Sequence, residues 1–234
     1  DVTERGGIYL EMARIYEAEF EEADQAVEAY RNILESMPGT IEVIRRLNGI
    51  YTTHEYWDDL ADMLREQVPH IADLEERCGW LIRHGQVAGD KLGDHLRAIG
   101  AYQEVLTHDA DSLQALNALA DLYERVSQWE ECTATYSKLI FGNPEVAVQT
   151  VLLCRVGRIY ELHLLDDESA MDRYQTALDL DPGCADAMRA LREIHIKREE
   201  WPQVVEMLRR ETEYSRELSE KATLLAHIGR VYCE

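Results

Sequence analysis

Three of the four tryptophans in this chain, Trp57, Trp129 and Trp201, are separated by the same interval of 72 residues. That interval also relates Tyr30, Tyr102 and Tyr174; Ala26, Ala98 and Ala170; Leu34, Leu106 and Leu178; Leu47, Leu119 and Leu191; and Ala13, Gly85, Gly157 and Gly229. No gap is needed in any unit. Self-similarity at a fixed period restricts a chain to architectures in which each repeat is one supersecondary unit that buries its apolar face against its neighbours. The chain is therefore expected to be one array with units 1–72, 73–144 and 145–216 and a partial fourth unit 217–234. It opens at Asp1 and stops at Glu234 inside a helical pattern, so we expect a piece of a longer protein.

Each unit holds two related halves, with alternating periods of 34 and 38 residues. Within a half, apolar residues recur at steps of three and four, as in Leu116, Leu119, Ala120 and Tyr123, which places them on one stripe of a helix. Pro38-Gly39, Pro144 and Pro182-Gly183 follow the second helix of a half and stop it, because proline clashes with the preceding turn and glycine accepts a left-handed cap. Each half is a helical hairpin. In the odd halves the turn between the two helices is one residue longer.

The segment Leu119-Ala120, Tyr123, Trp129, Cys132, Tyr136, Leu139 and Pro144 resembles the tetratricopeptide repeat, with its order of Leu-small, aromatic, aromatic, small, aromatic, apolar and Pro. Phrases such as Gly157-Arg158-Ile159-Tyr160-Glu161 look like the long two-repeat arrays common in bacterial proteins. The family's small crossing residue is Asn48 and Arg192 in two copies, and its aromatic is Ala88 and His195 in two others. The resemblance implies an all-α fold, an α-solenoid wound as a right-handed superhelix of about six and a half hairpins, with first helices lining a concave surface. The family's two-carboxylate clamp for chaperone C-termini is not matched. Its positions carry Leu10 and Arg14, Arg45 and Gly49, Ile82 and Gln86, and Cys154 and Arg158.

Composition narrows the partners. The chain has 46 Asp and Glu against 24 Lys and Arg, a formal charge of −22. Such a surface repels phosphate backbones and anionic lipid, so neither nucleic acid nor membrane insertion is expected. Charges interrupt every apolar run before it could span a bilayer. The five cysteines, Cys78, Cys132, Cys154, Cys184 and Cys233, include no C-x-x-C pair, which argues for small buried hydrophobes in a reducing, cytoplasmic setting. The histidines form no H-E-x-x-H, no glycine-rich phosphate loop is present, and Asp109-Ala110-Asp111 and Asp179-Leu180-Asp181 lack the remainder of a calcium loop. We expect no catalytic residue, no metal and no cofactor. The tryptophans read as packing keys rather than as an aromatic binding row.

Cations then carry the functional signal. Mapped onto the first helices, Arg14, Arg45, Arg83, Asn117, Arg155, Arg158, Arg189 and Arg230 are expected on or near the inner surface. Guanidinium offers a planar donor fork, so an arginine row inside an acidic envelope would favour a protein or peptide partner with an acidic segment. The competing view pairs these arginines within their own helix, as Arg158 with Glu161. The expected function is a protein-interaction scaffold that binds a peptide or helix in its groove. Two alternatives stand beside it. One is a structural spacer or self-association module using the apolar face of Leu224, Leu225, Ile228 and Val231, and the other is a regulatory arm of an enzyme whose catalytic domain lies outside this segment.

Overall fold

A computed structural model describes residues 10–12, 15, 23–215 and 217–231. Among these residues the structure is all-α, without a strand. The described residues divide into two compact units, Asp1–Leu122 and Tyr123–Glu234.

The first unit contains α1 (Ala23–Ser36), α2 (Ile41–Thr53), α3 (Trp57–Gln67), α4 (Leu74–Gln86), α5 (His95–His108) and most of α6 (Leu113–Arg125). Helices α2 and α3 form one hairpin, and α4 and α5 form the next. The stripes seen in the sequence are the buried ones: Tyr30, Ile44, Leu47, Leu60 and Leu64 have almost no exposed surface. Each such side chain contributes about 1.5–3 kcal/mol over remaining in water. Aspartates start two of the helices, because the Asp73 carboxylate accepts from the Glu76 N–H at 2.9 Å and Asp94 from that of Arg97 at 3.0 Å. Gly39 adopts φ +73°, and a Cβ there would lie 2.6 Å from the His70 carbonyl oxygen, so only glycine serves this turn.

The second unit contains the end of α6 and then α7 (Trp129–Gly142), α8 (Val146–Ile159), α9 (Asp167–Leu180), α10 (Ala185–Lys197), α11 (Trp201–Tyr214) and α12 (Leu218–Val231). Its core joins Leu153, Ala170, Tyr174 and Leu178 to Met188, Leu191, Ile194 and Met207. A smaller cluster of Val204, Leu208 and Leu224, with Ile228 against it, ties α11 to α12.

The extra residue of the odd halves does not lengthen the turn, as the spacing suggested. It is absorbed into the first helix as a π turn, Val87–Lys91 after α4 and Tyr160–Leu164 after α8. A carbonyl of each π turn also accepts from the next helix's cap: Asp94 N–H donates to Ala88 O at 2.8 Å, and Asp166 N–H to Tyr160 O at 2.9 Å.

These π turns also explain the tryptophans. In the first unit the Lys91 ammonium lies 4.9 Å from the Trp57 ring centre, and in the second the His163 ring stacks on Trp129 at 3.7 Å and 6°. Lys91 and His163 are themselves 72 residues apart. Each π turn thus supplies a cationic or aromatic lid for the tryptophan of the preceding hairpin. The three-residue turn before each tryptophan repeats too, with its middle residue, Glu55, Ser127 or Glu199, left-handed at φ 58–59°.

Candidate functional site

Arg14 lies outside the described residues. The other seven candidates are sorted by what their side chains already do.

Arg83 and Arg155 occupy equivalent positions on α4 and α8, and both reach back to the preceding first helix. In the first unit, Arg83 Nε donates to Asn48 Oδ1 at 3.0 Å and Nη2 to Thr52 Oγ1 at 2.9 Å. In the second, Arg155 Nε and Nη2 donate to the two oxygens of Glu124, each at 2.8 Å, and the guanidinium lies 5.2 Å from the Tyr136 ring centre. The Tyr136 hydroxyl donates to the same carboxylate at 2.9 Å. Burial, reinforced by that bond, raises the Tyr136 phenol above its ordinary value. A bidentate fork held this way fixes the spacing of neighbouring first helices. Both arginines are staples.

Arg45 on α2 forms an exposed ion pair with Glu76 on α4 at 2.5 Å, and Asn117 turns onto its own helix, donating to Leu113 O at 2.7 Å. Exposed pairs of this kind are worth about 0–1 kcal/mol and are readily exchanged.

Arg158 and Arg189 come together. They line a pocket of about 230 Å³ in the second unit, between the end of α8, its π turn, α9 and α10. Cys154, Glu161, Tyr174, Asp186 and Glu193 complete its polar wall. The expected pair of Arg158 with Glu161 does not form. Glu161 instead accepts from Lys197 Nζ at 2.6 Å and from the Tyr174 hydroxyl at 3.3 Å. Arg158 is exposed and engages in no hydrogen bond or ion pair among the described residues. Arg189 has only a long contact, 3.6 Å, to the exposed Asp186. Desolvation, aided by Glu161, raises the Tyr174 phenol, so it stays a neutral donor at the pocket's base.

Arg230 lines a second cleft of about 270 Å³ with Arg192, Ile196, Trp201, Val204, Leu208 and His227. Here Arg192 Nε donates to Glu211 Oε1 at 2.7 Å in a largely buried pair. Trp201 is 39% exposed, unlike the lidded Trp57 and Trp129.

The sequence reading missed the cysteines. Cys154 on α8 and Cys184, the residue that caps α10, lie with sulfurs 3.6 Å apart beside the Arg158 pocket. The 72-residue alignment held the signal, since their equivalents in the preceding unit are Ile82 and Ser112.

The buried histidines are packing groups. His84 accepts from Arg97 Nε at 3.0 Å, and burial, with Arg97 and Arg65 nearby, lowers its pKa to about 4. His195 Nδ1 lies 2.5 Å from Glu200 Oε2. The Asp109 and Asp181 carboxylates accept backbone N–H groups at 3.3 and 3.0 Å from Asp111 and Gly183, a turn role. Among the described residues no group of three or more His, Cys, Asp or Glu is placed to hold a metal ion, and no helix is long and apolar enough to cross a membrane.

The chain is 24% identical to mouse tetratricopeptide repeat protein 14, in a match that covers 79% of this chain and 26% of that protein. The chain thus spans about a quarter of that relative's length. Similar solved structures include two crystal structures of MamA, one 15% identical with a TM-score of 0.46 (83% of this chain, 89% of that one) and one 21% identical with a TM-score of 0.48 (78% and 95%). YrrB, described as a TPR protein with an unusual peptide-binding site, is 16% identical with a TM-score of 0.47 (78% and 89%). No protein-family model matches the chain.

Proposed function

We propose that this array of helical hairpins, which resembles tetratricopeptide repeats, is a protein-interaction scaffold whose second unit captures an acidic side chain of a partner peptide in the Arg158–Arg189 pocket. One observation carries this reading: Arg158 is exposed at a concave site between two first helices, and the acid that could have neutralised it, Glu161, is already committed to Lys197 and Tyr174. An incoming carboxylate would complete the guanidinium fork. The surrounding Asp186 and Glu193 leave the pocket of mixed sign, which suits a peptide with one well-placed acid rather than a polyanion. Leu162, 56% exposed at the rim, would supply apolar contact beside the charge.

Binding of labelled peptides that carry single Asp or Glu residues in varied apolar context, read by fluorescence anisotropy, tests the reading. Arg158→Gln with Arg189→Asn should weaken the best binder about tenfold or more, in line with the loss of charge-assisted hydrogen bonds. Equal affinity in the double variant, with unchanged helicity, would remove the pocket from the proposal.

A second reading, self-association, is favoured by the cleft between α10, α11 and α12, where Trp201 stays partly uncovered, and by Leu225 elsewhere on α12, which is 56% exposed. The side chain of Val231 is outside the described set. Light scattering over a concentration series decides it: a constant mass rejects self-association.

A further inference from the structure

The pocket that holds Arg158 has a pair of thiols beside its charge. Cys154 lines it directly, and Cys184 meets Cys154 at 3.6 Å from the start of α10. Both side chains are partly buried against the core of the second unit, packed on the same cluster as Leu153, Met188 and Leu191. A disulfide requires sulfurs at about 2.0 Å, so the two sulfurs, now in contact, must draw closer for the bond to form. The two residues are 30 positions apart and belong to consecutive first helices, so a bond between them would tether α8 to α10. A cross-link within one helix would constrain nothing, whereas this one spans the pocket wall.

We propose that Cys154 and Cys184 form a reversible dithiol–disulfide site that locks α8 to the start of α10 and thereby sets the geometry of the Arg158–Arg189 pocket. The oxidant is a low-molecular-weight disulfide such as oxidised glutathione. Cys184 gives up its proton to solvent, and its sulfur attacks one sulfur of the glutathione disulfide. That S–S bond breaks and one glutathione leaves, taking up a proton. Cys154 then loses its proton and attacks the Cys184 sulfur of the mixed disulfide, expelling the second glutathione. Two protein thiols are oxidised and one glutathione disulfide is reduced to two thiols. Burial first, and then the facing Cys184 sulfur, push the Cys154 thiol up, and conversion of Cys184 to a mixed disulfide removes the second of these influences, which suits Cys154 to the second step. Cys132 lies in the same unit but is fully buried, and serves as the unreactive reference.

The part of the inference that concerns binding rests on the peptide reading given above; the cross-link itself does not. The 234-residue protein is equilibrated with graded mixtures of reduced and oxidised glutathione, quenched with acid, blocked with an alkylating agent under denaturing conditions and mapped by non-reducing mass spectrometry. A peptide pair linked through Cys154 and Cys184 is expected, with Cys132 still alkylated and full reversal by dithiothreitol. Amide exchange in α8 and the first turn of α10 should slow roughly tenfold or more in the linked form. Cys184→Ser, which copies Ser112 of the preceding unit, and Cys154→Ser should each abolish the link. Affinity for the acidic peptide should differ between the two forms by at least about fivefold, the low end of ordinary coupling between sites. Two free thiols at every glutathione ratio, or a link between other cysteines, overturns the proposal, as does a linked form with unchanged exchange. A link that slows exchange while no acidic peptide binds either form confirms the lock and rejects the peptide reading.

Discussion

Residues 74–121 and 146–193 are the same structure with different chemistry. In both, a tyrosine ring presses on a glycine of the facing helix, so that a Cβ on Gly85 would lie 2.7 Å from Tyr102 and one on Gly157 would lie 2.7 Å from Tyr174. In both, an aspartate, Asp94 or Asp166, caps the second helix at 3.0 Å, and a π turn precedes it. The groove positions diverge. Ile82, Gln86, Ser112, Gln114 and Asn117 in the first stretch stand where the second has Cys154, Arg158, Cys184, Asp186 and Arg189. Positions that set the backbone are kept, and positions that face outward between first helices are free to vary. Recognition is therefore expected to reside in the second stretch, where neutral side chains give way to charges and thiols.

The largest difference expected between the two stretches is in acid. His84 in the first is matched by the buried apolar Val156 in the second. The folded form holds His84 neutral, with its pKa lowered to about 4 against an ordinary 6.5, because burial and then Arg97 and Arg65 oppose its charge. Between those values the unfolded chain binds the extra proton. The stability His84 contributes is therefore fully present above pH 6.5 and is lost as the pH falls towards 4, on the order of 3 kcal/mol in all. Peptide-resolved hydrogen exchange should show α4 and α5 loosening over this range more than α8 and α9. His84→Val should erase the excess, and persistence of the excess in that variant would assign it to the carboxylates instead.

The glycine–tyrosine contacts come next, and here the stretches should behave alike. Gly85→Ala and Gly157→Ala each force a methyl against an aromatic ring with a buried backbone behind it. Overpacking of this kind costs about 1–3 kcal/mol. Urea midpoints of the two variants should fall by similar amounts. A large cost at one site and none at the other would break the claim of a shared scaffold.

Sequence periodicity carried the scaffold because the residues that build it recur: Tyr30, Tyr102 and Tyr174 are all buried, as are Leu47, Leu119 and Leu191. The tryptophans, read as packing residues from their regular spacing, divide: Trp57 and Trp129 are covered by Lys91 and His163, which carry no obvious signal as a pair, whereas Trp201 stays 39% exposed. The extra residue of the odd halves was visible, but its place was not, since a π turn and a longer loop have the same length. The candidate site was less legible. Arg83, Arg155 and Arg158 look equivalent in composition, yet only contacts about 31 to 35 residues distant show that the first two are committed to Asn48, Thr52 and Glu124. A helical plot sees partners at three and four residues; it cannot see the neighbouring first helix. The same blindness hid the meeting of Cys154 and Cys184.

The smallest predicted effect concerns the turn after each π segment, where the two stretches share a conformation but not a residue. Gly93 has φ +67° and its equivalent Leu165 has φ +53°. A left-handed conformation costs a residue with a Cβ about 1–2 kcal/mol, and a glycine there costs about 0.5–1 kcal/mol in unfolded-chain entropy. Leu165 is 83% exposed, so its side chain returns little packing energy to offset the strain. Leu165→Gly should then stabilise the second unit by about 0.5–1 kcal/mol, while Gly93→Ala should destabilise the first by a similar amount. The opposite signs matter more than the sizes. If both substitutions destabilise, the Leu165 side chain holds a contact that offsets its backbone, and the two turns are not equivalent after all.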